Sequence, residues 1–108
     1  MFVARAVGRS MEPTIRDGDF LVFRANPVGT RNGKIVLAQY RGLADADTGG
    51  SFTVKKYSSE KRQDPDTGWR HTRILLSPLN PGYQPIAISE DRVEDFQILA
   101  EFVAVLGR

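Results

Sequence analysis

The sequence predicts an all-β fold, a β-barrel or sandwich of short antiparallel strands with at most one short helix. Short runs rich in β-branched and aromatic residues recur along the whole chain, and Gly, Pro, Asn or Asp bound nearly all of them. Only residues 89–95 suit a helical turn, where Ser89 offers an N-cap. Strands without intervening helices pack as a barrel or a sandwich.

Each element follows from its own residues. "MFVARAV" is the first strand, and the turn Asp17-Gly18-Asp19 leads into the second, "DFLVFRA". Asn32-Gly33 introduces "GKIVLAQYR", and Gly49-Gly50 introduces "GSFTVKKYS". Asp66-Thr67-Gly68 separates that strand from "RHTRILLSP". Asn80-Pro81-Gly82 then turns the chain into "QPIAIS", and "FQILAEFVAVLGR" is the last strand.

Composition narrows the functional classes. Hydrophobic residues make up 41% of the 108 positions, enough to bury a core, and a chain of this length reads as one domain, residues 1–108. The net charge is only +2 and the basic residues are spread from Arg5 to Arg108 without a run, so direct nucleic-acid binding is not expected. There is no cysteine, which excludes disulfides and thiolate metal sites. Apolar runs such as "FLVF" and "FVAVL" fall far short of the roughly 18 residues that cross a bilayer, and no signal-peptide core opens the chain. The expectation is a soluble, cytoplasmic protein with no membrane contact and no cofactor, trimmed from or fused to a longer one.

The chemistry centres on "GRSMEPTIRDGDFLVFR", residues 8–24. Its serine, Ser10, either belongs to a plain turn or is a nucleophile on a stiff loop that needs a base elsewhere. His71 is the sole histidine and sits in a polar hairpin rim, where an ordinary surface imidazole is the simpler reading. No HExxH, CxxC, GxGxxG or Walker sequence occurs. Lysine remains as the base. In "SFTVKKYS", Lys55 and Lys56 must point to opposite faces of a strand, so one faces inward or along a cleft unless the strand is a solvated edge. Burial disfavours the ammonium form, and lowering a lysine by about 3 units from about 10.4 costs on the order of 4 kcal/mol. The neutral amine that results is a competent base for a serine hydroxyl. Asp17 and Asp19 read as turn residues, Trp69 and Tyr83 as cover for a core edge, and Asn80 and Pro81 as fixing a turn near the cleft.

Taken together, "SMEPTIRDGDFLVF", "NGKIVLAQY", "FTVKKY", "ILLSPLNPGYQPIAI" and "FQILAEFVAVLGR" resemble, in this order and over essentially the whole chain, the carboxy-terminal peptidase domain of the LexA, UmuD and phage-repressor family. The resemblance implies a catalytic serine at Ser10, a general base at Lys55, a solvent-facing basic residue at Lys56 and an oxyanion hole built from the backbone N–H groups of Arg9 and Ser10. It further implies a self-cleaving regulatory domain of an SOS-type repressor or stress and defence regulator, a homodimer formed through carboxy-terminal strands, and cleavage of an Ala-Gly bond in the parent protein or in trans. A recombinase filament on single-stranded DNA would act as co-activator.

Departures from the family pattern are equally specific. Residues 1–9 leave no room for a helix-turn-helix or a cleavage loop, so no DNA-binding domain is expected in this chain. "DADTGGS" and "KRQDPDTGWRHT" look longer than the corresponding family loops, and Glu101 stands where many relatives carry glycine. Two other readings share the fold or the chemistry: a catalytically idle dimerisation or sensing module, and a serine/lysine protease resembling type I signal peptidase. The latter would need a membrane anchor and an apolar surface that this sequence does not show.

Overall fold

The computed structural model describes residues 1–25, 29, 31–41, 51–66 and 68–107. Seven strands run β1 Phe2–Arg5, β2 Phe20–Ala25, β3 Ile35–Tyr40, β4 Phe52–Asp64, β5 Gly68–Ser77, β6 Ile86–Ser89 and β7 Phe96–Val105, with a 3-10 helix at Glu90–Asp95. Every apolar run of the sequence becomes a strand, and the fold is mainly β. The strands join in a single sheet of order β1-β2-β7-β3-β4-β5-β6, with every neighbouring pair antiparallel. The last strand therefore inserts between β2 and β3, pairing Phe23 with Phe102 on one side and Leu37 with Ala100 on the other.

Period-2 alternation explains which residues are inside. In β2, Leu21 and Phe23 are buried and Arg24 is exposed. Two clusters result. One joins Val36 and Ala38 of β3 to Tyr57, Ile74, Leu76 and Ile88; the other joins Leu21, Phe23 and Ala100 to Met11 and Ile15 of the first loop. Alternate residues of β3 serve both, since Ile35 and Leu37 pack against the second cluster. Each large side chain fully removed from water contributes about 1.5–3 kcal/mol.

The long hairpin differs from expectation. Residues 61–72 read as an extended polar loop, yet β4 and β5 stay paired out to Asp64 and Gly68. Pairing satisfies the backbone N–H and C=O groups that a loop would leave to water, and Gly68 turns the chain at φ +88°, a conformation that glycine adopts without a Cβ clash. A register shift between Glu60 and Lys61 marks a bulge within it. The "DADTGGS" segment lies, apart from Ser51, outside the described residues, as do Gly49-Gly50 and the side chains of Trp69 and His71.

The short helix forms where expected, as six residues of 3-10 helix rather than one turn, with Ser89 in the N-cap position, but its side chain makes no cap hydrogen bond. The Ser89 hydroxyl instead donates to Asp91 Oδ1 at 2.5 Å. This contact above all, together with a backbone hydrogen bond, holds the Asp91 carboxyl below the usual carboxylate range. Among the described residues no helix is long and apolar enough to cross a membrane.

Candidate functional site

The first loop, between β1 and β2, is built by its own backbone and its two aspartates. Ala6 N donates to Asp19 O and Gly18 N to Ala6 O, closing the base of the loop at 2.7 and 2.9 Å. Asp17 Oδ1 accepts from Gly8 N at 2.9 Å, and Asp19 Oδ2 from Arg16 N at 2.7 Å. Both carboxylates thus serve the turn, as their sequence context indicates. Inside the loop, Glu12 N donates to Arg9 O and Ile15 N to Met11 O, and the Glu12–Pro13 peptide is cis. Met11 and Ile15 are 4% and 3% exposed, so the segment after Ser10 is pinned to the core.

The loop carrying Asn80 holds Ser10 from the other side. Leu79 N and Asn80 N both donate to Ser10 O at 3.0 Å, and Asn80 Nδ2 donates to Arg9 O at 3.0 Å. The turn that sequence reasoning placed near the cleft is therefore directly bonded to the serine segment.

Strand β4 supplies the amine. Thr53, Lys55 and Tyr57 alternate onto its buried face while Lys56 is exposed, which resolves the choice between the two lysines. Lys55 pairs across the sheet with Val36, a fully buried position. Its Nζ lies 2.9 Å from Ser10 Oγ and hydrogen-bonds to it, and it also donates to Thr53 Oγ1 at 2.7 Å and Val54 O at 3.2 Å. Ser10 is 8% exposed and Lys55 5%. Burial at this depth works against the ammonium form.

Thr53 is the residue that sequence reasoning missed. It is buried and touches Lys55 Nζ, and the signal was present in "FTVKKY", because residues two apart on a strand share a face. The Ser10–Lys55 pair opens into a cleft of about 160 Å³ between residues 5–8 and residues 52–55. Val7 and Phe52 line it and remain 60% and 51% exposed, forming an apolar lip. Glu101 pairs with Lys34 at 3.2 Å within the chain.

A family profile described as Peptidase S24-like matches residues 1–103. The chain is also similar to a LexA repressor of Parafrankia sp. (strain EAN1pec), 38% identical over 109 residues, covering 100% of this chain and 34% of that protein. A LexA repressor of Acidothermus cellulolyticus is likewise 38% identical over 109 residues, with 100% and 31% coverage. LexA repressor 2 of Pseudomonas syringae pv. tomato is 31% identical over 108 residues, with 99% and 43% coverage. The chain thus spans less than half the length of these relatives. With a family match over residues 1–103 and similarity to part of each LexA repressor along this chain's own length, this chain belongs to the Peptidase S24-like family.

Proposed function

We propose that the chain is the peptidase domain of a LexA-like regulator and cuts peptide bonds with a Ser10–Lys55 dyad. The 2.9 Å contact between a buried hydroxyl and a buried amine carries this reading. Thr53 Oγ1 and Val54 O accept from the amine and hold it beside Ser10 Oγ, so that in its neutral form it can take the hydroxyl proton. Ser10 Oγ attacks the scissile carbonyl as Lys55 takes its proton, and the tetrahedral oxyanion rests on the N–H groups of Arg9 and Ser10. Collapse breaks the C–N bond, Lys55 returns the proton to the leaving amine, and an acyl-Ser10 ester remains. Water, deprotonated by the neutral Lys55, then releases the acid.

By family likeness the substrate is an Ala-Gly bond in the parent protein or supplied in trans, and cleavage serves a repressor or stress regulator in the cytoplasm. Exposed Val3, Phe20, Val103 and Leu106 on β1, β2 and β7 and just beyond support a homodimer joined through this end of the sheet. The direct test is to incubate the chain with a synthetic Ala-Gly peptide and follow products by mass spectrometry. Cleavage that disappears in both Ser10→Ala and Lys55→Ala supports the dyad; activity surviving in either variant refutes it.

A further inference from the structure

The two carbonyls flanking the nucleophile are both held by one short segment outside its own loop. A trans peptide unit points its C=O and its N–H in opposite directions. The Arg9 carbonyl and the Ser10 N–H share such a unit, so whatever anchors Arg9 O also aims the Ser10 N–H. Arg9 O accepts from Asn80 Nδ2 at 3.0 Å and from Glu12 N at 3.1 Å. The next unit, Ser10 C=O with Met11 N–H, is anchored by Leu79 N and Asn80 N. Asn80 therefore acts on two consecutive peptide planes, through its side chain on one and its backbone on the other.

The Asn80 carboxamide is itself oriented. Its Oδ1 accepts from Gly82 N at 2.9 Å while its Nδ2 faces Arg9 O, so a flipped amide would lose both contacts. The fit is close: a Cβ on Gly82 would lie 3.3 Å from Asn80 Oδ1. The loop does not depend on Asn80 for its existence, because Met11 and Ile15 anchor it in the core and Glu12 N still satisfies Arg9 O. What Asn80 adds is direction.

We propose that Asn80 is a positioning residue that aims the Ser10 amide at the developing oxyanion, an inference that rests on the dyad reading above. A misdirected donor weakens binding of the transition state and leaves the ground-state complex unchanged, so the loss falls on kcat. The experiment measures kcat, KM and the pH dependence of Ala-Gly peptide cleavage for wild type, Ser10→Ala, Asn80→Ala and Asn80→Asp. Asn80→Asp keeps the acceptor for Gly82 N and sets a carboxylate oxygen against Arg9 O.

Removing an oxyanion donor outright lowers kcat by about 10²–10³, so misaiming one should lower it by about tenfold or more in Asn80→Ala and further in Asn80→Asp. KM should stay within about twofold, and the pH midpoint should not move, because Lys55 is untouched. A kcat within about twofold of wild type in both variants, or a fall accompanied by a shifted pH midpoint and KM, overturns the inference. Should Asn80→Ala fail to fold by circular dichroism, Gly82→Ala decides, since it keeps Asn80 and crowds its Oδ1: lowered kcat supports the proposal and unchanged kcat overturns it. Wild-type cleavage that is lost in Ser10→Ala but retained in full by the Asn80 variants defeats Asn80 alone. Absence of wild-type cleavage defeats the dyad, and Asn80 with it.

Discussion

Thr53 Oγ1 lies 2.7 Å from Lys55 Nζ, on the same buried face of β4 and two residues away. The threonine hydroxyl orients the amine beside Ser10. Thr53→Val keeps the shape and removes the hydroxyl, so kcat for peptide cleavage should fall by about tenfold, the scale of a lost hydrogen bond of roughly 1.5 kcal/mol. Thr53→Ser should retain most of the rate. Equal rates in Thr53→Val and wild type would remove Thr53 from the site.

Lys55 is a costly residue to bury. Replacing it with methionine removes the amine while keeping a long unbranched side chain, and should abolish cleavage without lowering the melting temperature at neutral pH. Thermal unfolding followed by circular dichroism checks this. A Lys55→Met protein that melts well below wild type would show that the amine holds the fold together.

Phe52 and Leu76 should separate binding from stability. Leu76 is fully buried, and Leu76→Ala should cost about 2–5 kcal/mol in denaturant unfolding. Phe52 lines the cleft at 51% exposure, so Phe52→Ala should change unfolding by under about 1 kcal/mol while raising KM for an apolar peptide. An unchanged KM would mean that the substrate does not run past Phe52.

Much of this was legible in the residues. Seven apolar runs and their Gly, Asn and Asp punctuation anticipated the seven strands, since alternation and turn preference are local properties. Ser10, an inward-facing lysine in "TVKKY" and the Asn80 turn were also readable, with Lys55 singled out only by the family resemblance. Three features were not, and each depends on a distant partner. Only the register Val36 to Lys55 decides which lysine is inside. Only pairing with β5 shows that "KRQD" continues β4, because its polar side chains read as loop. The insertion of β7 between β2 and β3 leaves no local trace at all.

Ser89 and Asp91 provide a pH test away from the cleft. The Ser89 hydroxyl lowers the Asp91 carboxyl from its ordinary value, so Ser89→Ala should raise it back. A folded-state value below the unfolded one means that any stability from this contact is present above the unfolded value and fades as pH falls through the folded one. Titration of the Asp91 side chain by NMR in both proteins reads the sign, and an Asp91 curve unaffected by Ser89→Ala would contradict it.

The dyad itself is tested most directly by the rate at which a fluorophosphonate modifies Ser10 as pH is varied, followed by intact mass and peptide mapping. The account predicts labelling confined to Ser10, rising with pH through one proton with a midpoint below that of an exposed lysine, and lost in Lys55→Ala. Labelling that proceeds equally in Lys55→Ala, or an unreactive Ser10 at every pH, would contradict it.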